Sequence, residues 1–254
     1  MKILVLSSKQ VNFILCVTTV VALVLLTFGT YVSANANRLL PIYSVENSKK
    51  QVAITFDAAW DDSGLDDIIA VLKRHNAPST VFAVGEWVDK YPDAVKKLDA
   101  AGHLMANHSD KHIHLNKMNA EQFKADVYNC NNRIEAITGK PVTLYRGPYG
   151  EYNNTAVSAI ENMSMYYIQW DCDSLDWKPN YTADMITAAA LKNVKSGSII
   201  LLHIGAKHTA TTLENILTKL EKEGYTFVTV DQLILKDNYT IDHAGRQIKK
   251  DGAE

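Results

Sequence analysis

The chain has 254 residues, of which 47% are hydrophobic and 21% charged, and its formal net charge is −2 at pH 7. This length suits one globular domain with a full hydrophobic core plus a terminal segment. Because positive and negative charges nearly balance, the composition gives no broad basic surface, and no nucleic-acid partner is expected.

The first 36 residues are predicted to enter or cross a membrane. Lys2 and Lys9 precede a nearly uncharged run over residues 11–32, which has the roughly 20 residues that a spanning helix needs. The positive charges are expected to stay in the cytoplasm, which exports everything after residue 33. Ala34-Asn35-Ala36 matches a small-x-small cleavage site. A cleaved signal and a retained anchor both remain open.

The chain carries three cysteines. Cys16 lies in the apolar segment, whereas Cys130 and Cys172 lie in the exported part. The latter two could form one disulfide or remain two separate buried thiols. No Cys-x-x-Cys pair is present, which excludes a zinc site built from cysteines.

Residues 37–50 are polar and contain Pro41, which is typical of a linker. The following part, residues 51–235, alternates short apolar runs with amphipathic patterns and is predicted to be one domain, followed by a tail over 236–254. Strands are predicted at 51–57, 79–85, 142–146, 164–171, 198–203 and 227–230, and helices at 65–75, 93–102, 119–139 and 213–224. The alternation predicts a mainly parallel sheet, open or closed as a barrel.

Several predicted strands end in residues that are capable of chemistry. Asp57 follows AITF, Arg146 follows VTLY, Asp171 or Asp173 follows YIQW, and His203 follows IILL. Functional residues of α/β folds gather at the C-terminal ends of parallel strands. These side chains are therefore expected to converge on one rim.

His108 and His112 are separated by three residues. On a helical turn, this spacing would place both imidazoles on one side, where they could share a metal ion. They could equally be solvated or capping histidines, and His114 nearby would also fit a general histidine-rich loop.

Asp57 at the end of a rigid strand suits a general base. The alternative role, an N-cap for the next helix, is better filled by Asp61, Asp62 or Ser63.

Three further patterns have two interpretations each. The turn Arg146-Gly147-Pro148-Tyr149-Gly150 could present an arginine to a carboxylate, or be an ordinary turn. Asp176 beside Trp177 could orient a base at the wall of a pocket, or belong to a loop anchored by the indole. His203 could be catalytic or a core histidine.

Together, the segments TFDA, HSDKH, RGPY, DSLDW and LLH occur in one order along residues 50–232. They resemble the five motifs of the polysaccharide deacetylases, which are carbohydrate esterase family 4 with its NodB-like domain. The family patterns are Thr-Phe-Asp-Asp, His-Ser/Thr-x-x-His, Arg-x-Pro-Tyr, Asp-x-x-Asp-Trp and Leu-x-His.

The resemblance implies a distorted (β/α) barrel and metal-dependent hydrolysis of acetamides on the sugars of a cell-wall polysaccharide. The metal would be zinc, with cobalt, manganese or nickel as alternatives. The roles implied for this chain are as follows: Asp57 as general base, His108 and His112 as metal ligands, Arg146 as the residue that orients Asp57, the Tyr149 backbone N–H as an oxyanion donor, His203 as general acid tuned by Asp176, and Trp177, Leu201 and Pro148 as substrate-binding residues.

One position departs from the pattern. Ala58 stands where most members carry a second, metal-ligating aspartate, so the third ligand could be Asp57, Asp61, Asp62 or water. The preferred hypothesis is an active enzyme outside the membrane that acts on peptidoglycan amino sugars. Chitooligosaccharides and acetylated xylan are alternative substrates, and a catalytically silent sugar-binding protein is the alternative of another class.

Overall fold

The computed structural model describes residues 7–36 and 38–250, and the chain divides into a unit over Met1–Leu39 and a unit over Leu40–Glu254. The first unit contains helix α1, Ser8–Ala36. Its segment Ser8–Thr27 is long and apolar enough to cross a membrane. Length and composition therefore agree with the predicted membrane segment.

The second unit alternates strands and helices. Its strands are β1 Ser44–Val45, β2 Gln51–Ala58, β3 Ser79–Ala83, β4 Leu104–Asn107, β5 Leu144–Tyr145, β6 Tyr166–Tyr167, β7 Cys172–Asp173, β8 Ile199–His203, β9 Thr226–Phe227, β10 Tyr239–Ile241 and β11 Arg246–Lys249. Its α-helices are α2 Leu65–Arg74, α3 Gly85–Lys90, α4 Pro92–Ala100, α5 Ala120–Thr138, α6 Asn154–Asn162, α7 Ala183–Leu191, α8 Thr209–Lys222 and α9 Val230–Leu233.

The main sheet has the order β6-β5-β4-β3-β2-β8-β7, and β9 also pairs with β2. All of its ladders are parallel. Within residues 38–250 no ladder joins β6 to β7, so the curled sheet is not closed by strand pairing there. This is the distorted barrel that the sequence predicts, and the fold class is confirmed.

Side chains of β2 alternate between two buried layers, as a strand covered on both faces requires. Val52, Ile54 and Phe56 belong to the large core cluster that includes the helix side chains. Ala53 belongs to the smaller cluster, with residues of other strands. Asp57 continues the Ala53 series and therefore faces the inside of the curled sheet.

Several predicted elements differ from the observed ones. The segment 164–171 contains only the short strand β6 and then crosses to β7, and the predicted strand 227–230 ends at Phe227 before helix α9 begins. Strand β4 was not predicted, because Leu104–Asn107 is short and runs directly into a polar loop. The predicted strand 142–146 is reduced to Leu144–Tyr145.

The folded unit extends beyond both predicted ends of the 51–235 domain. Strand β1 lies in the predicted linker and pairs in parallel with β11, which lies in the predicted tail and pairs antiparallel with β10. Ile42 and Val45 are buried. Residues 42–50 are thus not a free linker. Strand β1 could not be predicted locally, because its partner is about 200 residues away in sequence, where Ser44 pairs with Arg246.

Cys130 and Cys172 are both buried and both free. The interpretation as two separate thiols is therefore correct, and burial raises the pKa of each of them.

Candidate active site

The C-terminal ends of several parallel strands meet at one cavity of about 560 Å³. The strands β2 and β8 bring Asp57 and His203 into register as Cα partners, while His108 and Arg146 directly follow β4 and β5. The residues that line the cavity are Asp57, Ala59, Trp60, His108, His112, Tyr149, Trp170, Asp173, Trp177, Leu201 and His203. Of the two acids considered after YIQW, Asp173 is the one at the cavity.

Asp57 is held by a fully buried arginine. The Nη1 of Arg146 donates to Asp57 Oδ1 at 2.7 Å, and its Nη2 donates to the carbonyl of Gln169 at 3.2 Å. Burial by itself would raise the pKa of Asp57, but the positive charges of His108 (when protonated), Arg146 and His203, with the hydrogen bond from Arg146, hold it below its ordinary value. Asp57 is therefore ionised at neutral pH, with Oδ2 left for other partners.

His108 presents its second ring nitrogen to Asp57. Its Nδ1 lies 2.8 Å from the carbonyl oxygen of Arg146, which can only accept, so Nδ1 carries the proton. Nε2 is then an electron-pair donor, 3.4 Å from Asp57 Oδ2. Burial lowers the pKa of His108 and favours the neutral ring. His108 Nε2 and Asp57 Oδ2 therefore point electron pairs at each other, and this arrangement is stable only with a cation or a proton between the two atoms.

His112 lies on the same side, but not on a helix. Its ring centroid is 5.0 Å from that of His108. The connecting loop has no helical turn, and Ser109 and His112 both have positive φ, at 73° and 53°. The predicted helical geometry is therefore wrong, although the two rings do meet. Burial, followed by the charge of His108, lowers the pKa of His112 to about 4, so this imidazole is also in the neutral form that binds metals.

Asp61 and Asp62 do not line the cavity. Asp61 Oδ1 instead accepts hydrogen bonds from the backbone N–H and hydroxyl of Ser63, at 2.9 and 2.6 Å. Ala58 is fully buried in the helix-side core. In the described residues no group of three or more His, Cys, Asp or Glu side chains has the arrangement of a metal site. The neutral imidazoles of His108 and His112 suit a divalent cation whose remaining positions are filled by water, and these two protein ligands are fewer than the usual three.

His203 is fixed by a buried carboxylate. Asp176 Oδ1 lies 2.7 Å from His203 Nδ1, and Asp176 Oδ2 accepts from the backbone N–H of His203 at 2.8 Å and from the hydroxyl of Thr209 at 2.9 Å. Burial alone would lower the pKa of His203, but the hydrogen bond and charge of Asp176, together with the charges of Asp57 and Asp173, raise it above its ordinary value. The opposite ring nitrogen is left for the cavity.

Not every predicted site residue lies at the cavity surface. Arg146 and Asp176 are buried partners of Asp57 and His203, and Pro148 is buried at the start of a short 3₁₀ turn and does not line the cavity. Trp177 and Leu201 do line it. Tyr149 is half exposed, has a positive φ of 59°, and donates through its hydroxyl to the carbonyl of His112 at 3.3 Å.

Sequence reasoning missed Trp60, Trp170 and Thr209. Trp60 stands two residues after the end of β2, and an aromatic residue so close to a rim aspartate was a usable signal. Trp170 follows the shortened strand β6. Thr209 begins helix α8, and nothing in its local sequence indicates that its hydroxyl reaches Asp176.

Comparison with known proteins agrees with the fold. Residues 44–168 match the model of the family described as polysaccharide deacetylase. A peptidoglycan-N-acetylglucosamine deacetylase of Bacillus cereus is 31% identical over 197 residues, which cover 76% of this chain and 92% of that protein. The peptidoglycan-N-acetylmuramic acid deacetylase PdaA of Bacillus subtilis is 29% identical over 201 residues, covering 76% and 75%.

Among solved structures, a CE4 family pseudoenzyme from Bacillus anthracis has a TM-score of 0.73 at 26% identity, covering 82% of this chain and 70% of that one. The structure of peptidoglycan deacetylase PdaC from Bacillus subtilis has a TM-score of 0.67 at 30% identity, covering 74% and 92%. The chain belongs to the polysaccharide deacetylase family, carbohydrate esterase family 4, and its enzyme class is that of the carbohydrate de-N-acetylases.

Proposed function

We propose that this protein removes acetyl groups, with the help of a divalent metal, from the N-acetylated amino sugars of peptidoglycan on the outer side of the membrane. One observation carries the proposal. Asp57 and His203 are Cα partners at one cavity, and their surroundings lower the pKa of the carboxyl group and raise that of the imidazole. Two groups whose pKa values are shifted apart in this way are suited to act as base and acid.

Asp57 is the general base. Arg146 occupies Oδ1 and fixes the plane of the carboxylate, so Oδ2 is the oxygen that takes a proton from the attacking water. Amide hydrolysis then needs stabilisation of the negative charge on the carbonyl oxygen, for which the backbone N–H of Tyr149 is the proposed donor.

His203 is the general acid. Its Nδ1 is held by Asp176, so the proton that it delivers comes from Nε2 and goes to the nitrogen of the leaving amine as the carbon–nitrogen bond breaks. Trp177 and Leu201 are proposed to receive the methyl group of the acetyl. The products are acetate and a free amino sugar.

His108 and His112, with water in the remaining positions, would hold the metal. Members of the family are generally metal-dependent, and zinc suits a site of neutral imidazoles, with cobalt, manganese or nickel as alternatives. When bound, the metal supplies Lewis-acid activation of water and of the substrate carbonyl. The pairing of His108 Nε2 with Asp57 Oδ2 supports this assignment.

The choice of peptidoglycan rests on the relatives, which are named as deacetylases of N-acetylglucosamine or N-acetylmuramic acid in peptidoglycan. The apolar helix α1 supports a location outside the cytoplasm, through a cleaved signal or a retained anchor. We expect acetate release to be faster from peptidoglycan than from chitooligosaccharides and slowest from acetylated xylan, measured at equal acetyl concentration. Faster release from xylan would contradict an amino-sugar substrate.

A catalytically silent member is the second candidate, because Ala58 removes a ligand of the family pattern and the Bacillus anthracis neighbour is described as a pseudoenzyme. The intact base and acid pairs, Arg146 with Asp57 and Asp176 with His203, favour activity.

Substitution Asp176→Asn is expected to move the alkaline limb of the pH profile to lower pH. A general acid must be protonated, so activity is lost as pH rises through the pKa of His203. The negative charge of Asp176 raises that pKa, and a neutral amide removes this contribution. The test is kcat/KM as a function of pH. Asp171→Asn, at the opposite end of β8, is the control, and an unshifted limb in Asp176→Asn would disprove the assigned acid.

Substitution His108→Ala is expected to weaken zinc binding at least tenfold, measured by calorimetric titration of the metal-free protein. His103→Ala is the matched control. His103 is also buried, but its Nδ1 accepts from the N–H of Ser79 at the opposite end of the barrel. Equal loss of zinc affinity in both variants would show that the metal is bound elsewhere.

A further inference from the structure

Trp60 is an aromatic side chain at the cavity that the mechanism above does not use. It lies two residues beyond the end of β2, lines the cavity and is 48% exposed. Its indole stacks on the imidazole of His203, with ring centroids 5.2 Å apart and planes inclined by 16°. Since His203 covers one face of the indole, the exposed part includes the opposite face.

Trp87 shows what a purely structural tryptophan looks like in this protein. It is 2% exposed, and its indole N–H donates to the carbonyl of Asp61 at 3.2 Å. For Trp60, no hydrogen bond from the indole N–H to a protein atom is found in the described part of the chain. A half-exposed indole with a free face and a free donor is suited to a ligand that is apolar on one side and hydroxylated at its edge.

The reaction fixes where the sugar lies. His203 protonates the nitrogen that is bonded to the sugar, so the sugar ring must be on the side of His203, while the acetyl group points the other way. Trp60 is the ring that stacks directly on His203. The saccharide attached to the leaving amine, or continuing from it along the chain, is therefore brought next to the free face of the indole.

We propose that Trp60 is a specificity-determining residue that stacks on a pyranose ring of the substrate on the leaving-amine side. The inference rests on the proposed function, since it places the sugar by the proton transfer from His203. With this contact, the enzyme recognises the sugar ring of its substrate in addition to the acetyl group. The CH groups on one face of a pyranose contact the indole, and a ring hydroxyl accepts from its N–H.

A different role must be separated from this one. The indole could only hold the imidazole of His203 in place, as a positioning residue. Loss of the ring would then lower kcat and alter the pH profile without weakening saccharide binding. If the indole instead stacks on the sugar, loss of the ring weakens saccharide binding as its main effect.

The test measures binding without turnover. Tetra-N-acetylchitotetraose is titrated into zinc-loaded Asp57→Asn protein that also carries Trp60→Ala, Trp60→Phe or, as a control, Tyr128→Ala. Tyr128 is another exposed aromatic residue, on α5 and outside the cavity. We expect about tenfold weaker binding for Trp60→Ala, which corresponds to about 1.4 kcal/mol, about two- to threefold for Trp60→Phe, and no change for Tyr128→Ala.

Equal affinity of the Trp60→Ala protein and its parent, or no binding by the parent, would overturn the inference. The proposed function is tested separately by acetate release from the wild-type protein. If the Trp60 ring is needed for binding while no acetate is released, the saccharide-binding role of Trp60 is supported and the proposed reaction is refuted. If acetate is released and Trp60→Ala binds as its parent does, the reaction stands and Trp60 is not the platform.

Discussion

Substitution Asp57→Asn is expected to lower kcat/KM for an N-acetylated oligosaccharide by about two to four orders of magnitude. The amide nearly keeps the shape of the carboxylate and can still accept from Arg146, but it cannot take a proton from water. The measurement is acetate release at saturating zinc, with the variant and the wild-type protein at the same pH. Activity within tenfold of wild type would refute Asp57 as the base.

Stability must be separated from chemistry in this variant. Arg146 is fully buried, and Asp57 is its carboxylate partner. Removing the negative charge leaves a buried cation without compensation, which is typically costly. We expect a lower Tm by circular dichroism, and rates should be compared well below it. Because the pKa of Asp57 is lower in the folded than in the unfolded protein, its ionisation adds to the free energy of unfolding. This stabilisation is present above the unfolded pKa of about 3.9 and is lost as pH falls through the folded pKa.

Substitution His203→Ala is expected to cause a loss of similar size, about two to four orders of magnitude in kcat. Without the imidazole, the amine must leave as a poor, unprotonated leaving group. Because the side chain borders an open cavity, added imidazole should restore part of the rate, which a purely structural histidine would not show. His243→Ala, an exposed histidine between β10 and β11, is the control and should keep full activity.

A wild-type rate in His203→Ala would place the acid elsewhere. Loss without any response to imidazole, combined with a lower Tm, would instead indicate that the histidine serves the packing of the strand end. His203 also contributes to stability through its raised pKa, and this contribution is lost as pH rises through the folded value.

The convergence of the site could be predicted from the sequence because it follows from strand polarity. Asp57, Arg146 and His203 each end a short apolar run, and parallel strands carry such ends to one rim. The side on which Asp57 points also follows from the alternation along β2. These are local patterns with one physical solution.

Loop geometry and long-range partners were not predictable. The spacing of His108 and His112 suggested a helical turn, but two residues with positive φ fold the loop and bring the rings together by another route. The hydroxyl of Thr209 reaches Asp176 across 33 positions of sequence. The three-stranded sheet of β1, β11 and β10 also depends on a distant partner, because the two-residue strand β1 is defined only by its pairing with β11.

Ala58 leaves one metal-ligand position of the family pattern open, and the sequence alone does not show which group fills it. The motif alone left Asp61 and Asp62 as substitutes, since both are near in sequence. The structure engages Asp61 in a turn with Ser63 and leaves Asp57 Oδ2 facing His108. Because Asp57 Oδ2 is the proposed base, water is then the remaining candidate for the third position.

Metal-dependent removal of acetyl groups from the amino sugars of the wall can be measured on the wall polymer itself. Purified peptidoglycan is incubated with the wild-type protein after exhaustive chelation and again after zinc is added, and acetate and new free amino groups are both quantified. We predict equimolar acetate and amine with zinc and almost none without it. An unchanged rate after chelation, or no acetate with zinc, would contradict the account.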